Sequence, residues 1–226
     1  FWLCHEHIPN CYFLQSPISS INDKKHLLNL DIMMTKMLMD KKQEYEKVNF
    51  FVRGDGVNKF EFHNHKIGKS LLGDRFMYHF IPELVISSSS KISPETLINE
   101  LDRFNFFQPS KNINLIPKFG STIGELIPLA LVCGYKKIIL CGIDMNDGTH
   151  FYDSESYYKK YKYLEVLSKK SNSKETHEHM DNSLREYTLK NIIIELNKFA
   201  NKKFGAKISV SSKTSSLYPE ISKHNF

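Results

Sequence analysis

Four cysteines among 226 residues are too few, and too irregularly spaced, to make a disulfide framework. A reducing compartment is therefore the default. Cys133 and Cys141 stand in apolar runs and are expected to be buried thiols. Long hydrophobic runs are also missing. The longest, Leu126–Cys133 and Ile138–Cys141, fall far short of the length a bilayer-spanning helix needs. No internal repeat, Gly-x-Ser-x-Gly elbow or Walker loop occurs. The chain opens on Phe rather than Met and shows no signal peptide. We expect the true amino terminus, with a first strand, to lie upstream.

What is present is a moderately hydrophobic, basic chain: 41% hydrophobic residues, a net charge of +6 and a pI near 9.0. That content supports a packed core, and the charge favours anionic partners such as a nucleotide sugar, an acidic glycan, a membrane surface or nucleic acid.

Along the chain, Phe1–Leu3, Tyr12–Leu14, Val48–Arg53, Leu84–Ser87 and Ile113–Ile116 read as short strands. Asn22–Lys47 reads as a long amphipathic helix with a Leu/Met stripe. Residues 57–81 look irregular. Pro94–Phe106 reads as a helix opened by Ser93, and Ser183–Lys203 as an amphipathic helix closed by Gly205. Lys207–Val210 reads as a last parallel strand. This alternation predicts one α/β domain with a Rossmann-like, mostly parallel sheet and flanking helices. It would comprise residues 1–152 and 180–226, with residues 153–179 as a small flexible lid.

The most informative stretch is residues 120–152. A small-residue entry, a short apolar helix, Gly134-Tyr135, an apolar strand over Lys137–Ile143 and a polar loop follow one another. A nearly continuous apolar run suits a parallel strand covered on both faces. Ligands of such sheets sit beyond the carboxyl ends of the strands. Asp144, Asn146, Asp147, His150 and Tyr152 would lie there. Ser121 and Thr122 stand where the preceding helix begins, its backbone N–H groups aimed at an anion.

The pattern Ser-Thr…Ala-Leu…Gly-Tyr-Lys-Lys-Ile…Gly-Ile-Asp…Gly…Tyr resembles the central segment of bacterial CMP-sialic-acid-dependent sialyltransferases, glycosyltransferase family 42. It resembles the flagellin-modifying Maf proteins more loosely. The resemblance is concentrated in residues 120–152, weaker over 177–219 and faint elsewhere. It implies inverting, metal-independent transfer of sialic acid, or a related nonulosonic acid, from a CMP donor to a bacterial surface glycan. By this resemblance His179, after the lid and before a helix, is the general base, and histidine suits proton abstraction near neutrality. His177, two residues away, is the alternative. Tyr152 and Asn146 would hydrogen-bond the leaving phosphate. Asn146 stands where the family has a second tyrosine, and Lys118 stands near the family's arginine. The donor would be held by Ser121, Thr122, Asp144, His150, Ser211, Ser212 and Thr214. His5 and Ser16 occupy the ends of the expected early strands. The family's Gly-Asn-Gly-Pro-Ser opening loop is absent.

The resemblance implies no cofactor beyond the CMP-sugar donor. It also implies a glycan acceptor. From the cysteines a cytoplasmic setting is expected; a place at the inner face of the cytoplasmic membrane with peripheral membrane contact, which the charge allows, and a homo-oligomer are further expectations. Three clusters look metallophilic: Cys4-His5-Glu6-His7 with Cys11, His63-Asn64-His65 and His177-Glu178-His179. None has the paired spacing of a structural zinc site, and no metal is expected. Nor is there an Asp-x-Asp element of the sort metal-dependent glycosyltransferases use. Two other readings stay open. One is a different sugar-nucleotide transferase or a nucleotide pyrophosphokinase on the same fold. The other is a non-catalytic nucleotide- or nucleic-acid-binding domain, for which the Tyr/Lys segment 157–170 would be the stacking surface. Because the same residues suit a lid over an anionic sugar nucleotide, nucleic acid is not the expected partner.

Overall fold

The computed structural model describes residues 10–15, 42–45, 48–53, 78–86, 92–110, 115–143 and 187–226. They form an α/β mix of helices and short strands in small sheets. The chain divides into two compact units, Phe1–Glu83 and Leu84–Phe226.

In the first unit, β1 (Cys11–Gln15), β2 (Asn49–Arg53) and β3 (Tyr78–Ile81) form a parallel sheet in that order. Cys11 is in register with Asn49, and Phe50 with Tyr78. The first two strands are expected; β3 is not. Tyr-His-Phe-Ile lies inside the stretch read as irregular, because four residues are too few to show alternation. It is a strand because β2 supplies a partner for its backbone. Of the long helix expected over Asn22–Lys47, only α1 (Lys42–Tyr45) lies within the described residues. The strand expected at Phe1–Leu3 lies outside them.

The second unit is built around one helix. Its first sheet pairs β4 (Glu83–Val85) with β5 (Ile116–Lys118), and the Ile86 N–H, one residue past β4, donates to the carbonyl of Lys118, the last residue of β5, at 2.9 Å. Helix α2 (Pro94–Arg103) starts where Ser93 accepts from the Thr96 N–H at 3.2 Å, with Pro94 in the first turn. It stops three residues short of the expected Phe106. Asn105 adopts a φ of 62°, a left-handed conformation that a helix cannot pass through and that Asn tolerates. Helix α3 (Thr122–Val132) ends at the Cys133 cap, and Gly134 turns the chain at a φ of 81°.

β6 (Lys137–Leu140) pairs in parallel with β7 (Lys207–Val210), Leu140 opposite Val210. The strand expected through Ile143 ends three residues sooner, because Gly142 takes a φ of 68°. Only Leu140 in β6 is buried; Ile138 and Ile139 are half-buried and Lys137 is exposed, so the strand is less covered than its composition suggests. Cys133 and Cys141 are exposed rather than buried. Each stands one residue beyond a buried one, Val132 and Leu140, past the end of its element. The strand expected at Ile113–Ile116 is instead β5, which begins at the last of those residues.

Helix α4 (Leu189–Phe204) packs on both α2 and α3. Ile192, Ile193, Leu196 and Ala200 form its buried stripe at helical spacing. Ile98, Leu101, Ile127, Leu131, Ile208 and Val210 complete the core around it, and Leu217 and Ile221 close it with no exposed surface. Lys203 pairs with Asp102, fastening the last turn of α4 to the last turn of α2. No helix among the described residues is long and apolar enough to cross a membrane.

The expected start at Ser183 moves to Leu189 because Thr188 and Asn191 form a capping box. The Thr188 hydroxyl accepts from the Asn191 N–H at 3.3 Å, and the Asn191 side chain accepts from the Thr188 N–H at 2.9 Å. Thr188→Ala removes this cap. The expected loss is ~1 kcal/mol. Urea unfolding should show a lower midpoint at an unchanged slope. An unchanged midpoint would mean the box contributes nothing to the helix.

Candidate functional site

Two walls of a site can be built from the described residues. The first begins at β5, whose chain leaves the sheet through Phe119 and turns at Gly120, φ 71°. Ser121 then caps α3, its hydroxyl accepting from the Gly124 N–H at 3.2 Å. The segment enters a helix here because a small hydroxyl residue in extended conformation precedes an apolar run. Ser121 is half-buried and Thr122 exposed, whereas Gly124 and Glu125 in the same turn are buried.

Gly124 explains what packs beside this turn. A Cβ built on it would lie 2.5 Å from the Phe119 carbonyl oxygen and 3.2 Å from the Leu189 side chain. The first turn of α3 therefore lies against the first residue of α4, and the two helices bring their amino ends together. Each amino end carries N–H groups unpaired within its helix and a positive dipole end. Side by side they create a positive field, which the buried Glu125 in the first turn of α3 already answers in part. A small cleft of about 20 Å³ lies at this junction, lined by Ile86, Phe119, Gly120, Tyr187 and Thr188 among others. That is room for about one water. A larger, open cleft of about 330 Å³ runs past Ser93, Glu95, Tyr187, Asn191 and Glu195. Its carboxylates give it the wrong sign for a phosphate.

The second wall lies at the carboxyl ends of β6 and β7. The Ser211 N–H donates to the Leu140 carbonyl at 2.9 Å, and the Ser215 hydroxyl donates to the Ile143 carbonyl at 2.6 Å. These bonds hold the hydroxyl-rich loop after β7 against residues 141–143, which lead directly to Asp144. Within that loop the Ser212 and Thr214 hydroxyls bond each other at 2.7 Å, and the Thr214 N–H donates to Ser212 at 3.1 Å. Ser211 and Ser212 are half-buried and Thr214 is exposed. The chain then returns along β7, with Val210 bridged in parallel to Lys223.

Of the residues singled out from sequence, Ser121 and Thr122 belong to the first wall and Ser211, Ser212 and Thr214 to the second. Each group is held by its own contacts. His5, Ser16, Asp144, Asn146, His150, Tyr152 and His179 lie outside the described residues, as do Asp147, His177 and the segment 153–179. Sequence reading missed the approach of Gly124 to Leu189. It also missed Tyr187 and Thr188 as lining residues. The Thr-x-x-Asn spacing of 188–191 was the available signal, since it marks a helix start. Among the described residues no group of three or more His, Cys, Asp or Glu is placed to hold a metal ion.

Comparison with known proteins adds no relative. No family model, curated protein or solved structure matches this chain.

Proposed function

We propose that the chain is a glycosyltransferase that moves sialic acid, or a related nonulosonic acid, from its CMP donor to a bacterial glycan, with inversion and without a metal. The observation that carries this reading is the pairing of helix starts at Gly124 and Leu189, next to the Ser121 cap. It falls in the segment whose residues resemble the sialyltransferases, where an anionic donor would be bound. The hydroxyl loop beside residues 141–143 supports it, since a second set of polar groups flanks the route to Asp144.

In this mechanism a glycan hydroxyl attacks the anomeric carbon of the donor as CMP departs. His179 takes the hydroxyl proton, and Tyr152 and Asn146 donate to the phosphate oxygens on which charge develops. The start of α3 after Ser121 and Thr122 adds its positive dipole end. Asp144, His150, Ser211, Ser212 and Thr214 hold the nucleotide sugar in this reading, and His5 and Ser16 are further candidates for binding it. The proposed architecture is a Rossmann-like, mostly parallel sheet closed by a lid over residues 153–179. The parallel pairing within β1–β3 and within β6–β7 is in keeping with it.

Titration with CMP separates this reading from its rivals. A ligand of the folded state raises apparent stability by RT ln(1 + [L]/Kd), about 2.7 kcal/mol at a hundredfold excess over Kd. CMP should raise the melting temperature more than AMP, GMP or UMP does. Transfer from a CMP-sugar should persist in excess EDTA. Indifference to CMP would defeat the proposal, and a strict Mn²⁺ or Mg²⁺ requirement would replace its mechanism with metal catalysis.

A further inference from the structure

At the end of the second unit away from the helix starts, Arg103, Lys136, Lys137, Lys202, Lys203 and Lys207 are all exposed. Contacts place all but Lys202 together, and Lys202 stands beside Lys203 in the last turn of α4. Lys203 ties α4 to α2 through Asp102, beside Arg103. The Lys136 ammonium donates to the carbonyl of Phe204, the last residue of α4, at 2.8 Å. Lys137 and Lys207 are register partners at the first pair of β6 and β7. Among the described residues two acids answer this cluster, Asp102 and Glu100, the latter 2.9 Å from Arg103.

Two features of the cluster work against folding alone. Like charges placed opposite each other on paired strands destabilise the pair. Phe104 and Tyr135 stand 73% and 55% exposed at its margin, where burial would be favourable. The positive field also reaches His224, whose imidazole is held below its usual range by burial first and then by Lys137 and Lys207.

We infer that this end of the unit docks on an anionic lipid membrane. Headgroup charge answers the lysines, and the interface accepts an aromatic ring and the long lysine stems. The cations sit on the tips of separate elements, whereas a nucleic-acid strand is usually tracked by a continuous basic groove lined with stacked aromatics. α4 has 16 residues, so its start lies about 24 Å from the patch. A docked molecule would keep the junction of α3 and α4 away from the bilayer. This inference stands on its own observations and survives if the transferase reading fails.

Sedimentation of the full chain with phosphatidylcholine vesicles, with and without phosphatidylserine, tests it. Binding is expected only with phosphatidylserine and should weaken as salt shortens the Debye length. Lys137→Gln with Lys207→Gln should weaken binding about 25-fold, roughly fivefold for each cation. The melting temperature should hold or rise, because the opposed charges are gone. Phe104→Ala should weaken binding further without altering its salt dependence. Equal binding to both vesicle types, no binding to either, or wild-type binding by the double variant would overturn the inference. So would a single-stranded oligonucleotide that binds more tightly than the phosphatidylserine vesicles and loses affinity in the same variant, which would reassign the patch to nucleic acid.

Discussion

His179→Ala is expected to lower sugar transfer by ~10²–10⁴ while leaving CMP affinity within a few-fold. The split follows from where a general base acts. It removes a proton from the acceptor hydroxyl as the new bond forms and does not touch the nucleotide, so donor binding in the ground state is spared. Tyr152→Phe should differ. It removes a hydrogen bond that strengthens as the phosphate leaves, so turnover should fall more than donor affinity. Wild-type activity should decline on the acid side, because a protonated imidazole cannot accept the proton. Initial rates across pH, beside CMP binding for each variant, check all three expectations. A silent His179→Ala with a dead His177→Ala would move the base by two residues. Full activity in both single variants and in the double would end histidine base catalysis here.

Gly124→Ala is expected to destabilise the second unit although it improves helix propensity. Exchanging glycine for alanine inside a helix stabilises by about 1 kcal/mol when nothing opposes the methyl. Here the methyl would meet the Phe119 carbonyl oxygen at 2.5 Å and its carbon at 3.1 Å. Those are backbone atoms, fixed by the turn into α3, and Leu189 closes the other side at 3.2 Å. Relieving the overlap means shifting the Phe119 backbone at the turn into α3, and overpacking of this kind costs about 1–3 kcal/mol. We expect a net loss on the order of 1–2 kcal/mol, a fall in melting temperature of several degrees. CMP affinity should fall with it, since the donors of the first wall are displaced. Calorimetry with and without CMP checks both. A more stable Gly124→Ala would show that the Phe119 turn yields freely, and the rigid first wall would lose its basis.

Local chemistry made much of the second unit legible. Ser93-Pro94, Ser121 and Gly205 announce helix ends because each does its work within a turn of where it stands. Lys207–Val210 was readable for the same reason, bounded by Gly205 and the hydroxyl loop. Tyr78–Ile81 was not, because a four-residue strand is made by its partner β2 rather than by its own pattern. The exposure of Cys133 and Cys141 was misread at element ends, where one residue's shift changes the face presented. The approach of Gly124 to Leu189 joins segments far apart in the chain, and no local pattern encodes it. For the site, Ser121 is confirmed as a helix cap. The residues proposed for the chemistry itself lie outside the described set.

The parallel pairing of β6 with β7 has a bearing on how this protein could change over time. The Ser209 hydroxyl donates to the Ile138 carbonyl from 71 positions away along the chain, so the pair closes a long loop. Closure entropy rises only with the logarithm of loop length, about 0.6 kcal/mol for each doubling. Between β6 and α4, added chain length therefore costs the strand pair little. The toll falls on speed, since pairings so distant in sequence form slowly. A scaffold of this kind can take up added length in that connection without losing the strand pair.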